Sequence, residues 1–269
     1  MLLYKYLPLS WSEEPSAQEE RLNYSRCLCI KDNTFWFSTP KTLNDPYDCK
    51  PSFKKIRRPD DMRRILQDLN EEETRFVLKH YPTCKTKDEI IEHHQVFSNL
   101  RATWSGATPR QLSEHLFQML ATTIVNAKIQ NVGILSLTTD YANCLMWSHY
   151  AKNHQGVCIE IEIPEKTRGL DRVTYTREQP LLMVYEGNHE RYGRLTDIFY
   201  TKSKNWAYEK EWRVVAGKGN EVRSIPKASI TRIIYGLNTS EKTKNKIGEI
   251  TDRNIETHQL KMKRNYVLQ

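Results

Sequence analysis

Two glutamates, Glu209 and Glu211, are separated by a single residue in the segment Trp206–Arg213. In an extended strand, side chains two residues apart lie on the same face, so both carboxylates are predicted to point the same way. Adjacent carboxylates repel, and at least one pKa rises unless a cation or ligand hydroxyls lie between them. Such a pair can stabilise a developing cation with one carboxylate and orient a hydroxyl with the other. The alternative is a solvated edge strand on which Lys210 and Arg213 neutralise the acids.

A second polar cluster, Leu43–Asp48, directly follows an aromatic stretch that ends in Ser38 and Thr39. Asn and Asp beside a proline commonly form an Asx-turn, and one interpretation stops there. The other is a ligand-binding loop in which Asn44, Asp45 and Asp48 present polar groups.

A third segment, residues 143–150, places a stacking ring, a hydroxyl, a titratable ring and a phenol within one helical turn, at Trp147, Ser148, His149 and Tyr150. Gly156 then precedes a strand, which indicates a tight turn or the close approach of a ligand. An ordinary core helix followed by a glycine turn explains the same pattern.

Composition excludes several classes of protein. The chain has 269 residues, 38% of them hydrophobic, and no apolar run reaches the roughly 18 residues needed to cross a bilayer. The start of the chain lacks the pattern of a secretory signal, and close cysteine pairs of zinc-binding spacing are absent. We therefore expect a cytoplasmic protein whose six cysteines are thiols, without a structural metal.

The net charge of +8 and the pI near 9.1 permit a polyanionic partner. A basic cluster, which either contacts phosphates or forms a solvated face, comprises Lys54, Lys55, Arg57, Arg58, Arg63 and Arg64. Motifs for phosphate-binding glycine loops, serine hydrolases and zinc proteases are absent from the sequence.

The elements that must position these residues are predicted from hydrophobic periodicity. Alternation or apolar runs predict strands near residues 3–7, 34–39, 132–137, 156–163, 172–175, 211–215 and 230–235. Helices are predicted within 16–30, 145–151, 187–200 and 241–254, and residues 261–264 form a basic strand or end. Residues 59–131 change to helical spacing. We predict one α+β domain over 1–269, with a mostly antiparallel, twisted sheet and a helical insertion at 59–131.

Taken in order, several blocks resemble one family. They are Tyr4–Tyr6, Phe37–Pro40 with Leu43–Asp48, Leu145–Tyr150 with Gly156–Glu160, Tyr200–Ser203, and Trp206 with Tyr208–Arg213. This order resembles the bacterial domain-of-unknown-function family 2971. The blocks are specific as an ordered set, although each alone is weak, and the family implies no established activity.

A looser resemblance connects the layout to ADP-ribosyltransferases. An early strand with a polar residue between aromatics and a late Glu-x-Glu strand are similar to that fold. The resemblance implies NAD as a substrate, with Lys5, between Tyr4 and Tyr6, on the dinucleotide and Ser38 or Tyr150 near the nicotinamide. Glu211, or Glu209, would stabilise the cation as nicotinamide leaves. Lysine stands where the family has His or Arg, and it lacks their planar hydrogen-bonding geometry.

Three hypotheses follow. The first is an ADP-ribosyltransferase-like or NAD-cleaving enzyme of bacterial defence or toxin type. It would act on NAD or another nucleotide with a protein or nucleic-acid acceptor, through Glu211 and Glu209, with Lys5, Tyr4, Ser38, Asn44, Asp45, Trp147 and Tyr150 as binding residues. The second is a nucleic-acid-binding or interaction protein that uses the basic cluster. The third is a metal-dependent nuclease that uses Asp45, Asp48 and the two glutamates.

Overall fold

The computed structural model describes residues 1–53, 66–93, 109–182, 195–251, 255–264 and 267–269, with no side-chain description for 109–117. The chain divides into two compact units. The first unit comprises Met1–Asn44, Val132–Arg177 and Lys202–Gln269, and the second comprises Asp45–Asn131 and Glu178–Thr201. The predicted single domain with an insertion at 59–131 stays a prediction.

The described strands follow the chain in this order: β1 (Leu2–Leu7), β2 (Thr34–Phe37), β3 (Ser52–Phe53), β4 (Gly133–Thr138), β5 (Val157–Glu162), β6 (Leu170–Arg172), β7 (Thr174–Thr176), β8 (Leu181–Leu182), β9 (Thr201–Ser203), β10 (Glu211–Ala216), β11 (Glu221–Ser224), β12 (Ser229–Tyr235) and β13 (Glu256–Gln259). Among the described residues, the largest sheet has seven strands in the order β13-β12-β5-β1-β4-β10-β6. Its β12–β13 pair is parallel, and the other pairs are antiparallel. The predicted α+β class with a mostly antiparallel sheet is confirmed.

The described α-helices are α1 (Ala17–Lys31), α2 (Glu71–Lys79), α3 (Pro109–Ile129), α4 (Cys144–Tyr150) and α5 (Glu241–Thr251). Residues 87–93 are also helical. Short 3-10 helices cover Pro40–Thr42, Leu195–Tyr200 and Lys204–Glu209. Helix α1 begins where Ser16 accepts a hydrogen bond from the Glu19 amide, which satisfies one of the unpaired N–H groups of its first turn.

The core of the first unit lies on both faces of the large sheet. Alternation along β5 places Val157, Ile159, Ile161 and Ile163 in one apolar cluster, as the sequence predicts, together with residues of α1, β2 and α5. The opposite face carries Cys158 and packs against Met146 and Trp147 of α4. Both faces of β5 are therefore covered.

The second unit has its own apolar cluster, in which residues of α2 and α3 meet. Its buried residues include Leu66, Val77, Ile90, Leu120 and Ile124. Strand β3 pairs in parallel with β8 in the same unit. Helical packing in this unit agrees with the helical spacing of the sequence at these positions.

Several boundaries differ from the sequence-based predictions. The strand predicted at 172–175 is two strands, β6 and β7, with Val173 between them. The helix predicted at 187–200 is described only from Leu195, where it is a 3-10 helix. Strands β11 and β13 were not predicted, because their sequences, Glu-Val-Arg-Ser and Glu-Thr-His-Gln, carry little apolar alternation. The basic cluster within residues 54–64 lies outside the described residues.

Candidate active site

Helix α4 carries Tyr150 at its end and is fixed at its start by Asn143. At its start, the Asn143 side chain accepts hydrogen bonds from the amides of Leu145 and Met146, at 2.9 and 3.2 Å. The same side chain donates to the Tyr208 carbonyl at 3.1 Å. This residue therefore joins the start of the helix to the segment that precedes the glutamates.

Gly156 follows α4 at a point of close backbone approach. A Cβ atom there would lie 2.3 Å from the Leu7 carbonyl oxygen of β1, which is too close for any residue that has a side chain. Three consecutive residues of the preceding turn, Lys152, Asn153 and His154, all have positive φ angles. Glycine at position 156 therefore allows the backbone after α4 to pack directly against β1.

The prediction that Glu209 and Glu211 share one face of an extended strand is wrong. Glu209 ends the 3-10 helix Lys204–Glu209, Lys210 is left-handed with φ of 45°, and only Glu211 belongs to β10. The Thr138 hydroxyl, which donates to the Glu209 carbonyl at 2.6 Å, fixes the turn. Lys210 points away to form an exposed ion pair with Asp140.

Despite this turn, both carboxylates contact one buried cation. Lys202 of β9 places its Nζ 2.6 Å from Glu209 Oε2 and 3.4 Å from Glu211 Oε2. All three side chains are no more than 5% exposed. A lysine thus occupies the position between the two acids where repulsion would otherwise be greatest.

Glu211 has a second cation. Arg213 donates from Nε to Oε1 at 2.8 Å and from Nη2 to Oε2 at 3.0 Å, a bidentate pair in which the arginine is fully buried. The register places both residues opposite Thr138 and Ser136 of β4, and the Ser136 hydroxyl also hydrogen-bonds Glu211. We name Glu209, Lys202, Glu211 and Arg213 the charge cluster.

The two glutamates titrate in opposite directions. Burial raises the pKa of Glu209 above its ordinary value, although the charge of Lys202 opposes the increase. Burial acts in the same direction on Glu211, but the charges of Arg213 and Lys202 outweigh it and lower the pKa of Glu211 to about 2. Glu211 therefore stays ionised. Glu209, with its raised pKa, takes up a proton more readily than Glu211 does.

A chain of hydrogen bonds leads from Glu209 to exposed residues. Tyr150 donates to Glu209 Oε1 at 2.5 Å, and Asn44 Nδ2 donates to the Tyr150 hydroxyl at 2.9 Å. Burial and the hydrogen bond to Glu209 raise the pKa of Tyr150, so the phenol keeps its proton. The structure thus brings Asn44, Tyr150 and both glutamates together.

Three aromatic residues lie beside these hydrogen-bonded side chains. The Trp206 ring lies 6.1 Å from that of Tyr208, and its centroid is 4.8 Å from Lys202 Nζ. The exposed imidazole of His149 lies 6.5 Å from the Trp206 ring and 6.4 Å from the Tyr208 ring. We name Trp206, Tyr208 and His149 the aromatic group. Such rings can stack against a planar ligand.

The remaining predicted binding residues lie elsewhere. Lys5 donates to the Ser136 carbonyl at 3.1 Å and lines a cavity whose lining contains neither glutamate. Tyr4 donates to Glu160, and Trp147 is fully buried with its Nε1 bonded to the Tyr141 carbonyl. Ser38 pairs through its backbone with Ile134.

Asp45 belongs to the second unit, where it accepts a hydrogen bond from the Tyr47 amide at 2.9 Å. That contact is the Asx-turn predicted from the sequence. Asp48 is also buried in the second unit.

Sequence reasoning did not identify Lys202, because lysine is rarely buried and nothing in a single sequence shows which one will be. Lys202 precedes Glu209 by seven residues and stands in one of the blocks that carry the family resemblance. Trp206 and Tyr208 stand in the same blocks. The order of the blocks was therefore the signal that could have pointed to these residues.

A metal is not required to hold the acids apart. Within the part of the chain that the structure describes, no group of three or more His, Cys, Asp or Glu side chains could hold a metal ion. The position between the two carboxylates, which a bridging cation would need, contains Lys202 Nζ.

The described helices also include none that is long and apolar enough to cross a membrane.

Comparison with known families gives a match that covers most residues of this site. Residues 146–214 match the model of a family described as "Protein of unknown function (DUF2971)". This segment is similar to the DUF2971 family. The resemblance predicted from the ordered blocks is thereby confirmed over these residues. The DUF2971 segment contains Tyr150, the aromatic residues Trp206 and Tyr208, and the whole charge cluster. Asn44 and Lys5 lie outside it.

No curated protein and no solved structure matched this chain. The resemblance to ADP-ribosyltransferases therefore stays a prediction. The DUF2971 match itself names no activity, so a function must be argued from the side chains of the segment.

Proposed function

We propose that this protein is a carboxylate-dependent enzyme that cleaves the bond between nicotinamide and ribose in NAD and passes ADP-ribose to water or to an acceptor. The observation that carries this proposal is the asymmetry of the two buried glutamates. Among the described carboxylates whose pKa is shifted, Glu209 alone is shifted upwards. Perturbed acids of this kind concentrate at catalytic sites.

Glu209 is the reacting carboxylate in this proposal, and Glu211 positions it. Glu211 accepts a bidentate pair from Arg213 and also contacts Lys202, so its charge is already neutralised. Glu209 has a single ion-pair partner among the described residues, Lys202. Its carboxylate is therefore the one whose charge is less completely compensated.

The chemistry requires a negative charge beside the ribose C1 atom. When the bond from C1 to the nicotinamide nitrogen breaks, its electron pair leaves with nicotinamide and C1 becomes an oxocarbenium-like cation. A carboxylate held in a water-poor site stabilises that cation electrostatically. An attacking hydroxyl or water then bonds to C1, and Glu209, with its raised pKa, accepts the proton that is released.

The surrounding residues support the binding of such a substrate. The aromatic group offers a stacking surface for a planar nicotinamide or adenine ring, and His149 in this group is exposed. Asn44 is exposed and hydrogen-bonds Tyr150, which in turn bonds Glu209. Polar donors therefore extend from the buried acid to the surface.

The test is nicotinamide release from NAD, measured by chromatography, with transfer of labelled ADP-ribose to candidate acceptors measured in parallel. Glu209→Gln keeps the size of the side chain and removes its charge, so we expect the rate to fall by about 100-fold or more. Glu160→Gln is the matched control, because Glu160 is also a buried glutamate in an ion pair, with Arg232. It should retain the wild-type rate.

Two results would reject the proposal. One is a wild-type protein that neither releases nicotinamide nor transfers ADP-ribose at saturating NAD. The other is an equal loss of activity in Glu209→Gln and Glu160→Gln, since both would then act through stability. Thermal unfolding of each variant shows whether it is folded in the assay.

A further inference from the structure

A cavity of about 410 Å³ lies within the first unit, between β1, α1, β2 and β11. Its volume is within the range of small-molecule sites, roughly 300–1,000 Å³. It is lined by Lys5, Tyr6, Leu7, Pro8, Leu22, Ser25, Arg26, Cys29, Ile30, Thr34, Phe35, Trp36, Ile159 and Val222. Its walls are mostly apolar, and this lining includes two cationic side chains and no carboxylate.

One face of α1 forms a wall of the cavity. Leu22, Ser25, Arg26 and Cys29 follow one another at spacings of three, one and three residues, which places them along one side of a helix. The adjoining side of α1 is buried through Asn23, Cys27 and Ile30, of which Ile30 also lines the cavity. The helix therefore has a face for the core and a face for the cavity.

The mouth of the cavity is apolar and exposed. Trp36 of β2 and Val222 of β11 are directly paired in register, and they are 48% and 45% exposed. Leu22 of α1 is 46% exposed and lines the same cavity. Large apolar side chains that meet around a concave site favour the binding of an apolar body there.

The two cations of the cavity use backbone carbonyls and an amide as hydrogen-bond acceptors. Neither Lys5 nor Arg26 forms an ion pair with a described residue. Lys5 Nζ donates to the Ser136 carbonyl, and Arg26 Nη1 donates to the Pro8 carbonyl and to Asn23 Oδ1. Lys5 belongs to β1, the middle strand of the large sheet, and its ammonium retains donors for a further acceptor.

We propose that this cavity binds a small organic monoanion, a carboxylate with an apolar chain. Its carboxylate would contact Lys5, and its chain would extend along Phe35 and Ile159 towards Trp36 and Val222. A carboxylate suits a lysine in a mostly apolar surrounding, because Lys5 forms no direct ion pair with a described residue. A polyphosphate fits this cavity poorly, since its several charges would meet mostly apolar walls. The lining of this cavity contains no member of the charge cluster, and the proposed binding does not depend on the proposed NAD chemistry.

The experiment uses decanoate as the probe and two cysteines of the same chain as reporters. Cys29 lines the cavity and is partly exposed, whereas Cys144 is exposed and outside the cavity. Iodoacetamide labelling is followed at each cysteine by mass spectrometry while decanoate is titrated. We expect decanoate to slow the labelling of Cys29 and to leave the labelling of Cys144 unchanged.

Two controls isolate the charge. Decanol has the same chain without the carboxylate, and we expect it to protect Cys29 at least about tenfold more weakly than decanoate does. Lys5→Met should remove that difference, while Lys41→Met, at an exposed lysine outside the cavity, should preserve it. Burial lowers the pKa of Lys5 to about 8, although Glu211 opposes the decrease. Raising the pH from 7 to 9 should therefore weaken decanoate binding by about tenfold, as the ammonium is lost.

Three outcomes would overturn the inference: no protection of Cys29 by decanoate, equal protection by decanol, or equal slowing at Cys144. The comparison of decanoate with decanol, and its pH dependence, use the wild-type protein. They decide the question even where Lys5→Met does not fold.

Discussion

Replacing Lys202 by methionine is the most direct test of the charge cluster. The substitution keeps the length of the side chain but removes the cation that lies 2.6 Å from Glu209 and 3.4 Å from Glu211. Removing one partner of a buried ion pair costs about 3–5 kcal/mol of the free energy of unfolding, because an uncompensated charge stays buried. We expect a loss of this size, since Glu211 keeps Arg213 but Glu209 keeps no cation among the described residues.

The loss should depend on pH in a definite direction. Burial already raises the pKa of Glu209, and Lys202 opposes that increase, so Lys202→Met should raise it further. A group whose pKa is higher in the folded than in the unfolded protein stabilises the fold at low pH and loses that contribution as the pH rises through the folded-state pKa. The variant should therefore be less impaired at pH 5 than at pH 8.

The assay is urea unfolding of wild type and variant at pH 5 and pH 8. Lys210→Met is the matched control, because Lys210 lies next to Glu209 and Glu211 but is 55% exposed in its pair with Asp140. Such a surface pair contributes about 0–1 kcal/mol. The reasoning is refuted by equal losses in the two variants, or by a Lys202→Met deficit that is the same at both pH values.

Two further predictions concern the residues around the cluster. Tyr150→Phe removes the donor to Glu209, and we expect it to cost about 1.5–3 kcal/mol, as for hydrogen bonds to charged groups. Tyr208→Phe, whose hydroxyl has no hydrogen bond among the described residues, should be near neutral in the same urea assay. Asn143→Ala removes the cap of α4 and the bond to the Tyr208 carbonyl, so it should cost about 1–2 kcal/mol and reduce NAD cleavage. Ser16→Ala removes only the exposed cap of α1, and thermal unfolding with the activity assay should show a smaller loss and full activity.

Hydrophobic periodicity predicted many strands of the first unit, because the buried faces of those strands require apolar residues at alternate positions. The alternation of β5 was read correctly, since Val157, Ile159 and Ile161 pack in one cluster. Strand β13 has little apolar alternation of its own. It is placed by parallel pairing with β12, a long-range contact that the local sequence does not encode.

The geometry of the glutamates could not be predicted from spacing. The rule that residues two apart share a face holds only in an extended strand, and Lys210 is left-handed, a conformation that lysine rarely adopts. Thr138 fixes that turn from a strand 71 residues away in sequence. The two acids nevertheless meet, because Lys202 of β9 lies between them, and that contact depends on the tertiary fold.

The proposed catalytic role accounts for the charge cluster better than a role in stability does. Replacing a buried ion pair with well-packed apolar residues is often neutral or stabilising, so four buried charges are not needed to hold a sheet together. Glu160, in the same sheet, shows the structural alternative. Burial alone would raise its pKa, but hydrogen bonds from Arg232, Thr231 and Tyr4 outweigh that effect and lower it, so the fold favours its charge. Glu209 is shifted in the opposite direction although a lysine contacts it. This environment raises the pKa of Glu209 and keeps Glu211 ionised, an arrangement that suits catalysis. It gives the sheet no stability that apolar side chains would not supply.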